Sequence, residues 1–308
     1  MLDEIYYEVD EFNKLHLEKI AVYASQLTWL RGRKVGCMSM SEIMTILIFY
    51  HYSHYKNFKN YYTEYVSKSL KRDFPTLVGY DRFVYYIPMA LLPMLVFHLY
   101  RCRLSLRTGI YYIDSTRLEA CHPKRAHQHK VFKGFADWGK TSVGWFFGIK
   151  IHLIINHLGE VVHTCFSKAS TADNDPKILF NLLNDISGWV FGDKGYLMNN
   201  EKLHFVQHDD KIVFHAKDRK NASKAKAKQP PVMAKLYARK RPIIETAIGI
   251  QKKVMDLEHT RHRSIWNAYV HCLAALCAYS FYQRKPWANI NLSRYTLEPP
   301  KNFFLNAA

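Results

Sequence analysis

The sequence predicts an α/β fold, in which a mixed sheet is flanked by helices and preceded by a helical N-terminal region. Residues 1 to about 105 carry apolar residues at roughly helical spacing and show no strand-like alternation. From residue 110 onward, short apolar runs rich in β-branched and aromatic residues alternate with helical segments. This mixed order is typical of a sheet whose faces are covered by helices.

The predicted elements of the second region follow a definite order. They are a strand at 110–114, a hairpin of strands at 145–156 and 160–166, a helix after Pro176, strands at 189–193 and 211–216, and a helix from about 242 to 257. Pro176 and Pro242 suit the first turn of a helix. In the N-terminal region, Ser39 and Glu42 have the spacing of a capping box and predict a helix start.

The composition is strongly basic. Lys and Arg number 44 against 26 Asp and Glu, which gives a formal net charge of +18 in 308 residues. A soluble protein with this excess usually has a polyanionic partner, nucleic acid first and an anionic membrane surface second. Charge alone is also compatible with a ribosomal-type or merely soluble basic protein. The 48% hydrophobic content is enough for a core and argues against wholesale disorder.

Cysteine usage and the apolar runs favour a cytoplasmic protein with no membrane partner. Six cysteines are scattered without a Cys-x-x-Cys pair, which argues against a disulfide framework and for a reducing compartment. The acidic N-terminus does not resemble a signal peptide. The longest run without a charged residue, 264–283, contains polar side chains that would be costly in lipid, so we expect a buried helix there.

Two acids follow apolar runs that are predicted to be strands. Asp114 ends the run IYYID, and Asp193 follows WVF between Gly192 and Gly195. The carboxyl ends of strands in an α/β sheet line the crevice where sites are usually built. Each acid alone is also compatible with an ordinary turn or helix cap.

A third acid, Glu245, falls in the predicted helix that begins near Pro242. One face of that helix is apolar, at Ile243, Ala247, Ile250 and Val254. That face should pack on the sheet and leave Glu245 at its margin, although a solvated first-turn glutamate is the alternative. Taken together, three carboxylates can bind Mg²⁺ and leave room for water and phosphate. Two such ions can assist an in-line displacement at phosphorus.

The sequence resembles bacterial insertion-sequence transposases of the DDE type, whose core is ribonuclease-H-like. The matching segments are YYIDST, GWFFGIKIHLIIN, GDKGY and RPIIET with QKK, between about 110 and 255. Arg241, Glu245 and Lys252 fit the family spacing of Arg, three residues, Glu, six residues and Lys. The tyrosine of that signature is displaced, because Ala238 holds its position and Tyr237 lies one residue earlier.

The resemblance implies a five-stranded mixed sheet and a catalytic, metal-binding triad of Asp114, Asp193 and Glu245. Two Mg²⁺ or Mn²⁺ ions are the implied cofactors, and Arg241 and Lys252 are implied to approach the DNA phosphate.

The implied organisation has three parts. These are a helical domain at 1–105 that binds DNA ends, a catalytic domain at 106–258, and a C-terminal helical segment at 259–308. The implied partners are double-stranded DNA, both the terminal repeats and the target, and a second copy of the chain on that DNA. The implied location is a bacterial cytoplasm, in association with the nucleoid.

The densest basic segment, 217–241, contains ten Lys or Arg and a single acid. It predicts contacts with the phosphate backbone just before the catalytic helix, or else a solvated linker. The DNA-binding candidates, besides Arg241 and Lys252, are Lys194, Lys224, Lys226, Lys228 and Arg239.

Three other segments carry weaker signals. Residues 121–140 are basic and include Cys121, His122, His127 and His129, whose spacing fits no common zinc pattern. Residues 50–72 interleave aromatics with lysines, which suits nucleic acid or the margin of a helical core. Residues 259–264, HTRHRS, suit phosphate contact or packing.

Three functions remain open on the sequence. The leading hypothesis is a transposase that cuts the ends of its element and joins the 3′ ends to target DNA. A plain nuclease on the same core is a second hypothesis. A non-catalytic DNA-binding protein, such as a domesticated copy, is a third, and the presence of all three acids argues against it.

Overall fold

The computed structural model describes residues 1–27, 36–141, 144–196, 212–216, 232–259 and 262–290. They form two compact units. The first contains the described residues within 1–101, 130–132 and 249–283, and the second contains those within 102–129, 133–248 and 284–308. Both units confirm the predicted fold class, a helical N-terminal region and a mixed sheet flanked by helices.

Helices build the first unit. Its elements are α1 (Leu2–Ser25), α2 (Met40–Tyr50), α3 (Phe58–Asn60), a π-helix (Tyr61–Val66), α4 (Ser67–Ser69), α5 (Tyr80–Tyr86), a 3₁₀ turn (Ile87–Ala90), α6 (Leu91–Leu104) as far as Arg101, and α10 (Ile265–Phe281). The predicted capping box is confirmed, because Ser39 N donates to Glu42 Oε2 at 2.6 Å and Glu42 N donates to Ser39 Oγ at 3.1 Å. These two bonds satisfy amide donors that the first turn of α2 would otherwise leave open.

The uncharged run near the C-terminus is a buried helix, as predicted. Most residues of α10 are buried, and Tyr52 donates to the carbonyl of Ala278 at 2.6 Å. A second segment, Tyr80–Leu104, is long and apolar enough by composition to cross a membrane, with half of its most apolar window buried. Core helices give the same signal. All six cysteines are free thiols.

The second unit contains a six-stranded sheet. Its strands are β1 (Ile110–Cys121), β2 (Asp137–Thr141), β3 (Gly144–Asn156), β4 (Val161–Lys168), β5 (Gly188–Gly192) and β6 (Ile212–Ala216). The order is β2-β3-β1-β5-β6, and β4 also pairs with β3. The described helices of this unit are α7 (Pro176–Leu183), α8 (Val232–Ala238) and the first part of α9 (Pro242–Lys253).

The prediction missed β2. Its sequence, DWGKT, lacks an apolar alternation, yet it pairs along the first half of β3 while β4 pairs along the second half. A side chain at Gly139 would meet Phe146 Cε1 at 2.6 Å and the Ala169 carbonyl at 2.7 Å. A glycine is therefore required where these segments approach each other.

The predicted end of β1 at Asp114 is wrong. The strand continues to Cys121, because β3 is long and pairs with it from Tyr111 opposite Asn156 to Cys121 opposite Phe147. The residues after Asp114 are mostly polar, so the sequence shows no apolar run there. The acid therefore lies within a central strand.

The two faces of β1 have different neighbours. Tyr111 and Ile113 belong to a buried cluster that includes Leu179 and Leu182 of α7. Successive side chains of a strand alternate between faces. Tyr112 and Asp114 therefore point to the opposite face, towards α8 and the start of α9.

Candidate active site

Asp114 occupies a largely buried position with one backbone partner. Its side chain is 20% exposed, and the Ser115 N–H donates to Asp114 Oδ1 at 2.9 Å. Burial raises the pKa of the Asp114 carboxyl to about 6, although the Arg241 guanidinium and the Ser115 N–H oppose this rise. The negative charges of Glu245 and Asp173 raise that pKa further. A cation beside Asp114 is strongly favoured in these surroundings.

Arg241 joins two of the three predicted acids. Its Nη2 donates to Asp114 Oδ2 at 3.0 Å, and its Nη1 donates to Glu245 Oε1 at 2.6 Å. The Arg241 side chain is 17% exposed and that of Glu245 is 57% exposed. The structure thus brings Asp114 and Glu245 to the two nitrogens of one guanidinium.

Asp193 directly follows β5, next to the strand that carries Asp114. β1 and β5 are parallel, and their last pair is Tyr112 opposite Phe191. Two residues further along each chain come Asp114 and Asp193, so the register places these acids at neighbouring positions. The Asp193 carbonyl accepts from the Tyr196 N–H at 2.9 Å, which turns the chain sharply after the strand.

Glu245 lies in the first turn of α9, at the exposed margin of the helix, as predicted. The buried residues of this helix are Ile243, Ile244, Ala247, Ile248 and Gln251. Val254 lies beyond the helix end and is 40% exposed, so its predicted place on the packed face is wrong. The helix ends at Lys253, and Leu257, the predicted end, follows a turn.

Tyr237 is a core residue. Its ring packs edge-on against Trp189 and Phe191 at 6.0 and 6.3 Å, and its carbonyl accepts from Tyr112 Oη at 3.1 Å. These contacts anchor the end of α8 to β1 and β5. They hold the turn that carries Arg241.

Sequence reasoning missed one acid, Asp173. Its Oδ1 accepts from Ser115 Oγ at 2.9 Å and from Lys150 Nζ at 3.1 Å. A Cβ added at Gly195 would lie 3.3 Å from Asp173 Oδ2, so the carboxylate also reaches the turn after Asp193. Asp173 lies in a loop before α7, and nothing in its local sequence signals these contacts.

A profile of the Transposase DDE domain family matches residues 104–265, which is more than half of the chain. The chain belongs to this family. Comparisons with curated proteins and with solved structures gave no match. The matched range contains the four acids Asp114, Asp173, Asp193 and Glu245 and all six described strands of the transposase.

The acids of the transposase fit a divalent cation in their chemistry. Asp114 and Glu245 are hard oxygen donors, and a guanidinium already holds the position of a cation between them. Within the described ranges, no three His, Cys, Asp or Glu side chains are arranged to hold a metal ion. Carboxylate oxygens are the ligands that Mg²⁺ and Mn²⁺ prefer, so the residues present fit such an ion.

The predicted DNA-contacting cations of the transposase lie in different surroundings. Lys252 Nζ pairs with Glu258 at 3.1 Å, whereas Lys194 and Arg239 are exposed. Lys224, Lys226 and Lys228 lie outside the described residues.

The weak zinc signal in the transposase has a structural explanation for one residue. The His122 side chain accepts from the Lys124 N–H and caps the 3₁₀ turn Pro123–Gln128.

In the segment 50–72, Tyr61 and Tyr62 are fully buried. Packing thus accounts for these two aromatics.

A histidine cluster of the transposase lies in the first unit. The ring centroids of His51 and His262 lie 4.9 and 5.0 Å from that of His271, and His259 is 5.4 Å from it. His51 Nδ1 and His271 Nε2 hydrogen-bond to the carbonyls of Met255 and Asp256. His259 and His262, from the segment HTRHRS, therefore take part in packing.

Proposed function

We propose that this transposase cuts DNA at the ends of its element and joins the freed 3′ ends to target DNA. The observation that carries the proposal is that Asp114 and Glu245 both pair with the Arg241 guanidinium. Asp193 follows β5, the strand next to the one that carries Asp114. Two carboxylates that share one cation, with a third acid following the neighbouring strand, support phosphoryl transfer assisted by divalent ions.

The proposed chemistry is two displacements at phosphorus. In the first, a water oxygen bonds to the phosphorus at the element end while the bond to the 3′ oxygen breaks, which leaves a 3′-hydroxyl. In the second, that hydroxyl bonds to a target phosphorus while the target's own bond to its 3′ oxygen breaks. Two divalent cations, when bound, would stabilise the charge on the attacking and leaving oxygens.

The protein's own residues would position the reacting groups. Asp114 is fixed in a central strand, and the adjacent strand β5 fixes the start of the turn that carries Asp193. Glu245 lies at a helix start with its side chain 57% exposed, so it faces the solvent from which DNA and metal would approach. We propose Asp114, Asp193 and Glu245 as the catalytic, metal-binding set.

The DNA surface is proposed from charge. Arg239 and Lys194 are exposed near the acids along the chain, and Lys224, Lys226 and Lys228 continue the basic segment. Phosphate contacts from such residues supply affinity that does not depend on sequence. We further propose that residues 1–105 recognise the element ends, and that the protein works as a homodimer on DNA in the bacterial cytoplasm, at the nucleoid and without a membrane partner.

A strand-transfer assay tests the proposal against a plain nuclease. A labelled duplex that carries the DNA bordering the gene is incubated with plasmid target and Mg²⁺. Joined products that require both Mg²⁺ and Asp114 support the transposase proposal. Cleavage without joining, also from a pre-cut 3′-hydroxyl end, supports the nuclease, and specific binding without cleavage supports the non-catalytic protein.

A further inference from the structure

The Arg241 guanidinium holds the carboxylates that a divalent ion would need. Asp114 Oδ2 and Glu245 Oε1 each accept one hydrogen bond from it, and Asp114 Oδ1 accepts from the Ser115 N–H. A metal ion placed between Asp114 and Glu245 would lie where this cation lies. Guanidinium and metal are both positively charged, so they exclude each other from that position.

The ion pairs also stabilise the protein when no metal is bound. Asp114 is largely buried, and the neighbouring negative charge of Glu245 disfavours its ionised form. A charge buried without a partner is destabilising, and the guanidinium supplies that partner. Its planar fork can bond both carboxylates at once, whereas a lysine ammonium would act as a single point charge.

Arg241 can leave this position without loss of a secondary-structure element. It lies in the turn between α8 and α9, and its Nε forms no hydrogen bond with any described residue. The contact with Glu245 is at the exposed margin of the helix. Opening the two pairs breaks side-chain hydrogen bonds and no backbone hydrogen bond.

We propose that Arg241 is an exchangeable cation, which closes the acidic site in the free protein and is displaced when the divalent ion binds. The displaced guanidinium then becomes available to a DNA phosphate, for which its fork is well shaped. This inference rests on the proposed function, because it requires Asp114 and Glu245 to be metal ligands. It makes metal binding and DNA binding cooperative, since each favours the open position of Arg241.

The exchange is tested by the affinity of the DNA-free protein for Mn²⁺. Calorimetry or the electron paramagnetic resonance of free Mn²⁺ measures this affinity. If the closed form predominates by about tenfold, removal of the competitor raises the apparent affinity by about tenfold. We expect this rise in Arg241→Gln. Arg241→Lys keeps the charge but loses the two-pronged bridge, and we expect it to bind Mn²⁺ several-fold more tightly than the wild type. The matched control, Lys253→Gln, removes an exposed charge from the last turn of α9 and should not change the affinity.

The outcomes separate the exchange from the proposed function. Asp114→Asn is introduced into the wild type and into Arg241→Gln. If it weakens Mn²⁺ binding in neither protein, the proposed metal site itself is overturned. Binding that depends on Asp114, with Arg241→Lys equal to the wild type, would overturn the exchange alone, because net charge would then account for the effect.

A second measurement uses a DNA end that is blocked against cleavage. The exchange predicts that Mn²⁺ tightens the binding of this end to the wild-type protein, and that Arg241→Gln loses this tightening. Equal tightening in both proteins would overturn the release of Arg241 to phosphate.

Discussion

Ser115 Oγ donates a hydrogen bond of 2.9 Å to Asp173 Oδ1, and this bond joins strand β1, next to the candidate acid Asp114, to the loop before α7. The same Asp173 oxygen accepts from Lys150 Nζ of β3. Asp173 therefore fixes the side chain that follows Asp114 and adds a negative charge to its surroundings. Burial raises the pKa of Tyr196, and the charges of Asp173 and Asp114 act in the same direction.

Asp173→Ala should lower the rate of strand cleavage by about tenfold or more, since Ser115 and Lys150 lose their shared acceptor. The lost hydrogen bonds should also reduce the free energy of unfolding by roughly 1–3 kcal/mol. Single-turnover cleavage and urea unfolding measure the two effects. Asp175→Ala is the matched control, because Asp175 caps α7 by accepting from the N–H groups of Lys177 and Ile178. It should cost about 1 kcal/mol of stability and leave cleavage unchanged. An equal loss of cleavage in both variants would mean that Asp173 acts through stability alone.

Asp114→Asn, Asp193→Asn and Glu245→Gln should each nearly abolish cleavage and leave the binding of DNA ends largely intact. Each substitution removes a carboxylate that we propose as a metal ligand but no proposed phosphate contact. Cleavage gels and gel-shift titrations in Mg²⁺ check the two properties. Glu119→Gln is a suitable control, because Glu119 lies on β1 and pairs with Arg117 at 3.3 Å. Retained cleavage in any one of the three variants would remove that residue from the catalytic set.

Neutralising Lys224, Lys226 and Lys228 together should weaken binding to all DNA sequences alike. Each lost phosphate contact should reduce the slope of log K against log salt concentration by about one. Metal affinity should stay constant, because lysine ammonium groups are not ligands. Arg241→Ala should instead lower the cleavage rate more than it lowers DNA binding. An unchanged salt slope in the triple variant would show that the DNA follows another surface.

The free energy of unfolding should fall as the pH is lowered from about 6.5. The pKa of His51 lies well below its usual value, and the pKa of His271 is lowered to about 4. Burial is the main cause in both cases. In the unfolded chain these histidines titrate near pH 6.5, so protons bind preferentially to the unfolded state below that pH. The stability that these two neutral histidines contribute is therefore present above about pH 6.5 and is lost as the pH falls towards 4. Each buried neutral histidine should cost roughly 1.4 kcal/mol at pH 5.5.

Urea unfolding at pH 7.0 and 5.5 measures this loss. His51→Gln should reduce it, because the buried titrating group is gone while Gln keeps a donor for the Met255 carbonyl. The control, His54→Asn, changes an exposed histidine at φ 60°, a conformation that asparagine tolerates, and should leave the loss unchanged. An identical pH dependence in His51→Gln would exclude His51 as its source.

The sequence predicts those parts of the fold that have a local pattern. The apolar runs of β3, β5 and β6 and the proline at the start of α9 are visible along the chain, and they place Asp193 and Glu245 correctly on their elements. The continuation of β1 past Asp114 is not visible, because the pairing with β3 stabilises residues whose own sequence is polar.

Contacts between distant residues could not be predicted in the same way. Asp173 reaches Ser115 only after β1 and β3 are paired and the loop before α7 is in place. The pairing of Arg241 with Asp114 joins residues 127 positions apart. The i, i+4 spacing of Arg241 and Glu245 is local, and it was the part of this cluster that the sequence could show.

Because a ribosome makes the chain from the N-terminus to the C-terminus, the strands of the sheet become available for pairing in a fixed order. The antiparallel pairing of β1 with β3 joins residues that are made early, whereas β5 can pair with β1 only after residue 192 has been synthesised. Arg241 and Glu245 come later still. Domains generally fold as they are made, from the N-terminus onward. A translation product that stops before Arg241 contains Asp114 and Asp193 without the third acid and without the cation that pairs with Asp114, so we expect such a chain to be inactive in strand cleavage.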